Sequence, residues 1–238
     1  MASVTLLPAA SPDTGWQGAP PRGERLVVVA PHPDDEVLAA GGLMRWAASR
    51  GVETVVVAVT DGEASHPASR RITARELRRQ RALERQDALY RLGTPDVEIV
   101  RLGFADHACA GDERAIARRL RSVVRASDTL VGPTEHDRHP DHVAVAAAVA
   151  LVAFRGGLAE CWQAPTWALV HRTFPAVTRA LTLGDASLSA KRRAVGAYRS
   201  QLDCLGTESC DGPVVHPHEL EAMLGSVERF RDVESAPR

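Results

Sequence analysis

The chain has 238 residues, with 29 lysines and arginines, 30 aspartates and glutamates, nine histidines and four cysteines. Its net charge of −1 provides no basic field for nucleic acid or anionic lipid, and its 45% hydrophobic and 25% charged residues exclude a disordered chain. The longest apolar run, residues 143–154, is shorter than the roughly 20 residues that span a bilayer. The sequence therefore predicts a soluble cytoplasmic protein that binds neither nucleic acid nor membrane.

The chain is predicted to form one domain behind a short arm. Residues 1–22 are rich in alanine, proline, glycine and serine, and they lack the basic and apolar regions of a signal peptide. We expect these residues to be a flexible arm and residues 23–238 to form the domain.

From residue 24, short apolar runs alternate with longer amphipathic segments, an order typical of βαβ units. The predicted strands are residues 25–30, 53–60, 97–102, 129–132, 166–171 and 180–183. The predicted helices are residues 36–50, 72–92, 112–126, 142–154, 188–201 and 218–230. We therefore predict a Rossmann-like, doubly wound α/β domain with a mainly parallel sheet and helices on both faces.

A cluster of acids and one histidine follows the first predicted strand, where residues 31–36 read PHPDDE. Ligands bind beyond the carboxyl ends of strands in open parallel sheets. Three adjacent acids repel one another, and a helix dipole compensates each by only about 0.3–1 kcal/mol. An N-cap with solvated acids would explain Asp34 alone. For the whole hexapeptide a divalent cation is the better explanation, because His32 and Asp35 can direct a nitrogen and an oxygen to one point.

A second cluster, EHDRHPDH at residues 135–142, follows the fourth predicted strand. His139 and His142 are three residues apart at the start of the next helix, about 5–6 Å apart at Cβ. One of them can bind a metal while the other reaches a metal-bound ligand, and the spacing leaves open which does which. In a sheet of strand order 3-2-1-4-5, the first and fourth strands are adjacent. We therefore expect the two clusters to converge.

Together, residues 31–36 and the sequence His139-Pro140-Asp141-His142 resemble the PIG-L/LmbE-type zinc-dependent deacetylases. Members of that family remove the acetyl group from N-acetylglucosamine-containing substrates. Weaker similarities extend the resemblance over roughly residues 24–202; they are residues 60–63 and 102–106, Arg81, Glu84, Lys191 and residues 200–201.

The resemblance implies a role for each matched residue. His32, Asp35 and His142 would bind one Zn²⁺ per chain, with Fe²⁺ or another divalent metal as the alternative. Asp34 would be the general base, and a protonated His139, oriented by Asp141, would stabilise the oxyanion and assist the leaving amine. The residues that match sugar-facing positions are Glu63, Arg81 and Asp106; ordinary surface or salt-bridge roles are the alternative for each.

The expected function is a zinc-dependent hydrolase acting on an N-acetylglucosamine-containing thiol precursor, glycoside or secondary metabolite. The alternatives are an amidase that cleaves another acyl amide, such as a thiol conjugate, and a non-catalytic sugar-binding relative. A nucleotide- or methyl-donor-binding domain is disfavoured because the first turn has acids instead of a GxGxxG motif. The sequence leaves open whether the protein forms homo-oligomers.

Two residues depart from the family pattern at the expected pocket mouth. Arg138 and His107 stand where glycines are common. Both add bulk and polarity, so we expect a substrate that is larger or differently charged than a simple N-acetylglucosaminide.

Overall fold

The structure is a computed structural model, and it describes residues 14–156 and 158–233. The strands in chain order are β1 Thr14–Gln17, β2 Arg25–Ala30, β3 Glu53–Thr60, β4 Glu98–Phe104, β5 Asp128–Gly132, β6 Glu160–Gln163, β7 Arg179–Leu183 and β8 Val227–Asp232. The α-helices are α1 Asp35–Ala48, α2 Ala74–Leu92, α3 Glu113–Arg121, α4 Pro140–Gly156, α5 Trp167–Val170, α6 Asp185–Val195, α7 Arg199–Leu202 and α8 Pro217–Met223.

These strands form one sheet of order β1-β7-β8-β6-β5-β2-β3-β4. The five strands from β6 to β4 are parallel, and β8, β7 and β1 extend the sheet with antiparallel pairings. β2 pairs with β3 on one side and β5 on the other, so the first and fourth predicted strands are neighbours. The predicted α/β fold class is confirmed, and the ends of β2 and β5 lie side by side.

Side-chain alternation along the buried strands builds a core on each face of the sheet. Leu26 and Val28 of β2 pack into a cluster that includes side chains of α1, α2 and α6. Val27 and Val29 pack into the opposite cluster, with side chains of α3 and α4. The sheet is therefore covered on both faces, as in doubly wound proteins. Among the described helices, none combines the length and apolar character that crossing a bilayer requires.

Helix α1 is interrupted at Ala40, whose φ of −139° and ψ of 19° are not helical. The backbone amides of Gly42 and Leu43 donate instead to the two carboxylate oxygens of Glu228 on β8, over 2.6 and 2.9 Å. Lys191 of α6, the only lysine of the chain, places its Nζ 2.6 Å from Glu228 Oε1. Both charged side chains are buried. Because Glu228 bonds to α1 and to Lys191, it joins α1, α6 and β8.

The C-terminal predictions are partly wrong. The predicted strand over residues 166–171 contains helix α5, and β6 has no counterpart among the predicted strands. The predicted helix over residues 188–201 divides into α6 and α7, and the one over residues 218–230 divides into α8 and β8. β8 is inserted between β6 and β7, so it pairs with distant segments that local sequence patterns do not reveal.

The predicted arm also needs a correction. Residues 14–17 form β1, which pairs antiparallel with β7, so the end of that segment belongs to the sheet. Residues 1–13 of the predicted arm lie outside the described residues.

Candidate active site

The ends of β2 and β5 bring together three of the predicted site residues. His32 follows β2, Asp35 is the first residue of α1, and His142 lies in the first turn of α4. His32 Nδ1 is 3.3 Å from Asp35 Oδ2, and His142 Nε2 is 3.1 Å from the same oxygen. All three residues are buried. The two ring nitrogens therefore both face one oxygen of the Asp35 carboxylate.

A buried carboxylate holds the other ring nitrogen of His142. His142 Nδ1 donates to Asp137 Oδ2 over 2.8 Å. The second oxygen of Asp137 accepts from the backbone amides of Thr166 and Ala168, so the carboxylate is held in place. Asp137 has no predicted role, although it lies in the second cluster, five residues before His142. It fixes the tautomer of His142.

Two further carboxylates face the outer nitrogen of His32. Its Nε2 lies 3.1 Å from Asp106 Oδ1 and 3.1 Å from Asp141 Oδ2. The inner nitrogen, Nδ1, is the one that faces Asp35. In His142 the outer nitrogen is Nδ1, which faces Asp137, and the inner nitrogen is Nε2, which faces Asp35. Each imidazole thus has a carboxylate at its outer nitrogen and Asp35 at its inner nitrogen, an arrangement common for metal-binding imidazoles.

The three converging residues fit a divalent metal. When the outer ring nitrogens carry the protons, the inner nitrogens and Asp35 Oδ2 are all acceptors, which is unfavourable unless a cation lies between them. His142 Nε2 is buried and has no hydrogen-bond partner among the described residues. Two imidazoles and one carboxylate are also a donor set found in catalytic zinc sites, where a further coordination position stays open.

Electrostatics at the site favour positive charge. Burial lowers the pKa of His142, but the carboxylates of Asp35 and Asp137 outweigh it and raise that pKa to about 9. For His32, the nearby carboxylates likewise outweigh burial and hold the pKa well above its ordinary value. These raised pKa values mean that the two imidazoles hold an additional proton in the metal-free site. A divalent cation would take the place of these two protons.

Asp34 lies next to this group in an unusual backbone conformation. It is the N-cap of α1 and has a φ of 130°, which costs a residue with a side chain on the order of 1–3 kcal/mol. Arg81 Nη2 is 3.2 Å from Asp34 Oδ2 and also donates to Pro33 O over 2.6 Å. Burial raises the pKa of Asp34 to about 7, although Arg81 opposes this shift. A carboxylate with such a pKa can accept a proton at neutral pH.

The structure corrects the predicted roles of His139 and Asp141. Besides facing His32, the Asp141 carboxylate accepts from the backbone amides of His107 and Cys109, over 2.8 and 3.1 Å. Only the backbone amide of Asp141 reaches His139, donating to Nδ1 over 3.2 Å. The Asp141 carboxylate therefore positions His32 and the loop after β4, and the prediction that it orients His139 is wrong.

The surroundings of His139 favour the neutral imidazole. Its ring centre lies 4.7 Å from that of His32 and 5.3 Å from that of His142. Burial, together with the positive charge of these two neighbours, lowers its pKa to about 4. Because Nδ1 accepts a hydrogen bond, the proton of the neutral ring is on Nε2. The predicted protonated state of His139 is therefore not the one this environment favours.

Of the three residues predicted to contact the sugar, two are engaged within the site. Arg81 holds Asp34, and Asp106 faces His32 while its Oδ2 accepts from the amide of Ala64. Glu63 Oε1 accepts from Arg78, but Glu63 Oε2 is buried without a hydrogen-bond partner among the described residues. Arg81 Nε and Asp106 Oδ1 are likewise buried without a hydrogen-bond partner among the described residues, although Asp106 Oδ1 lies 3.1 Å from His32 Nε2.

The two residues that replace family glycines have left-handed backbones. His107 and Arg138 have φ values of 62° and 61°, and Arg172 has a φ of 53°. All three side chains are exposed, and the His107 ring centre lies 5.3 Å from that of His139. Positive φ is uncommon for residues with a side chain. These three exposed residues are named here the basic rim.

A doubly wound sheet with histidine and aspartate donors at its carboxyl edge, beside a carboxylate able to accept a proton, is typical of metal-assisted enzymes. Residues 27–153, more than half of the chain, match the family of GlcNAc-PI de-N-acetylases, abbreviated PIG-L. The chain belongs to this family.

Individual proteins of known sequence or structure resemble the chain over most of its length. It is 27% identical over 194 residues to a probable N-acetyl-alpha-D-glucosaminyl L-malate deacetylase 2 of Bacillus cereus, covering 76% of this chain and 84% of the relative. A conserved protein of Thermus thermophilus superimposes with a TM-score of 0.62 and 28% identity, covering 86% and 92% of the two chains. The N,N'-diacetylchitobiose deacetylase of Pyrococcus horikoshii shares the fold with a TM-score of 0.65 at 17% identity, covering 88% and 84%.

Proposed function

We propose that this protein hydrolyses the N-acetyl group of an N-acetylglucosamine-containing small molecule and releases acetate and the free amine. The observation that carries this proposal is Asp34, a buried carboxylate beside the converging His32, Asp35 and His142. Metal binding alone does not require a further carboxylate in a strained backbone. Asp34 therefore supports a catalytic protein over a sugar-binding relative without activity.

We further propose that the metal is zinc, with one ion per chain. His32 would bind it through Nδ1, His142 through Nε2 and Asp35 through its carboxylate. When bound, the zinc would polarise the amide carbonyl and lower the pKa of a water molecule towards 7.

Asp34 has the proton-transfer role in this proposal. The attacking water gives its proton to the Asp34 carboxylate as its oxygen bonds to the acetyl carbon. Asp34 then delivers the proton to the sugar nitrogen as the carbon–nitrogen bond breaks. Its pKa of about 7 suits both steps, because the group can accept and release a proton near neutral pH. Arg81 keeps the Asp34 carboxylate in its orientation by donating to Oδ2.

His139 acts as a neutral hydrogen-bond donor. The Nε2–H group would donate to the carbonyl oxygen as negative charge develops there, a type of interaction worth about 3–4 kcal/mol in the transition state. The buried Oε2 of Glu63 would accept a hydrogen bond from a sugar hydroxyl.

The basic rim supports a substrate that carries an anionic group beside the sugar. Arg138 and Arg172 have no ion-pair partner among the described residues, and both keep a backbone conformation that disfavours side chains. The malate group in the name of the Bacillus cereus relative is such an anion. We propose that the basic rim binds a carboxylate of this kind.

Metal analysis combined with amine release tests the proposal. The candidate substrates are N-acetylglucosamine, its neutral glycosides including N,N'-diacetylchitobiose, and its glycoside with malate. We expect one zinc per chain, turnover that a chelator abolishes and zinc restores, and preference for the malate glycoside. Asp87→Asn, which alters an exposed carboxylate on α2, should match the unaltered protein.

Two results would contradict the proposal. Full activity in metal-free protein would overturn the metal-assisted reaction. Release of acyl groups other than acetyl, with no turnover of any N-acetylglucosamine compound, would show that the protein is an amidase of a different specificity.

A further inference from the structure

The backbone amide of Asp34 is held by a side chain two residues further along. Asp34 N donates to Glu36 Oε2 over 3.2 Å. Asp34 is the N-cap of α1, and amides at the N-terminus of a helix have no acceptor within it, so α1 itself provides none. Glu36 is completely buried and Asp34 is nearly so.

Two buried side chains hold Glu36 in turn. Its other carboxylate oxygen, Oε1, accepts from Arg85 Nε over 3.0 Å and from the Tyr198 hydroxyl over 2.9 Å. Arg85 and Tyr198 are almost fully buried, and they come from α2 and from the residue before α7. Neither belongs to the two sequence clusters, so only the fold reveals their connection to the site.

We propose that Glu36 is a positioning residue, which keeps Asp34 in its strained conformation and so fixes the carboxylate that moves the proton. This inference rests on the proposed function, because it concerns the rate of the same reaction. A left-handed residue can relax when a supporting contact is lost, and relaxation would rotate the Asp34 side chain away from its place beside Arg81. Displacements of about 1 Å can reduce rates by roughly 100-fold.

Glu228 of β8 is a matched control for Glu36. Glu228 is also buried, also accepts from backbone amides of α1, and is also paired with a buried cation, Lys191. It contacts the second half of the helix, away from Asp34. Replacement of either glutamate by glutamine removes one buried charge, but only Glu36→Gln affects the amide of Asp34.

The first test is kinetic and uses the zinc-loaded protein with the best substrate of the panel above. We expect Glu36→Gln to lower kcat by about 10- to 100-fold with little change in KM. Tyr198→Phe removes only one hydrogen bond to Glu36, so it should lower kcat by a smaller factor. Glu228→Gln should keep kcat while lowering the melting temperature. Equal losses of kcat in Glu36→Gln and Glu228→Gln would overturn the proposal, since they would indicate general destabilisation.

A double-variant comparison tests whether Glu36 acts through Asp34. In an Asp34→Asn background, we expect Glu36→Gln to reduce the residual turnover by less than about 2-fold, because the group that it positions is already gone. A full additional loss in that background would contradict the positioning role.

Amide hydrogen exchange separates this inference from the proposed function. In metal-free protein, the Asp34 amide should exchange faster in Glu36→Gln and Tyr198→Phe than in the unaltered chain, and at an unchanged rate in Glu228→Gln. Unchanged exchange in all variants would overturn the positioning role, even if deacetylation is observed. Faster exchange without deacetylation in any panel compound would uphold the contact and reject the proposed function.

Discussion

His142 is hydrogen-bonded through Nδ1 to Asp137 Oδ2 over 2.8 Å, and both side chains are fully buried. The bond leaves Nε2 as the atom available to a metal. A carboxylate in this position also makes the imidazole a stronger ligand.

Asp137→Asn is therefore expected to weaken metal affinity by about 10- to 100-fold, a typical effect for such outer partners. Competition with a chromogenic chelator measures this affinity. Asp211→Asn is the control, because Asp211 is an equally buried carboxylate that accepts from Ser69 and is remote in sequence from His32 and His142. Equal affinities of the Asp137 variant and the control would refute the assignment.

Asp34→Asn should retain the metal and lose catalysis. Asparagine has nearly the same shape but cannot accept the proton of water, and general-base removal typically costs about 10²- to 10⁴-fold in rate. Metal content and kcat, measured on one preparation, check both parts. A variant that retains more than about a tenth of the activity would exclude Asp34 as the base.

The metal-free protein should lose stability as the pH rises from about 4 to about 7. The pKa of Asp34 is raised from 3.8 to about 7 by burial, so folding favours the protonated form. This contribution is complete below the ordinary pKa and is lost as the pH rises through 7. Asp34→Asn should remove much of this dependence, on the order of a few kcal/mol. Melting temperatures in chelator between pH 4 and 8 test it; parallel curves for the two proteins would contradict it.

Lys191→Met should destabilise the fold without altering the site. It leaves Glu228 buried without a cation, and the loss of one partner of a buried ion pair costs about 3–5 kcal/mol. At this chain length we expect a fall in melting temperature of roughly 6–20 °C. Zinc content and kcat, measured well below the new melting temperature, should be unchanged. An unchanged melting temperature would show that the pair has no net stabilising role.

Arg138→Gly should stabilise the protein and impair recognition of an anionic substrate. The φ of 61° suits glycine, so relief of strain should contribute about 1 kcal/mol and raise the melting temperature by about 2–4 °C. KM should rise for the malate glycoside and stay the same for N,N'-diacetylchitobiose. Equal KM changes for both compounds would contradict an anion-binding rim.

The sequence by itself determined the central part of the fold. The strands at residues 25–30 and 53–60 were predicted with the bounds of β2 and β3, because both are short, continuous apolar runs buried on both faces. The two polar clusters follow strands that a doubly wound order makes neighbours. The convergence of the two clusters was therefore predictable from local patterns together with one topological rule, whereas the choice of His142 over His139 came from the family resemblance.

Only the tertiary structure decided which carboxylate serves which imidazole. Asp141 is two residues from His139 in sequence, yet its carboxylate faces His32, because the amides of the loop after β4 hold it there. The strand β8 could likewise not be predicted from its own segment, because it is a strand through its pairing with β6 and β7. Sequence patterns report the periodicity of one segment, whereas these hydrogen bonds join segments that meet only when the chain folds.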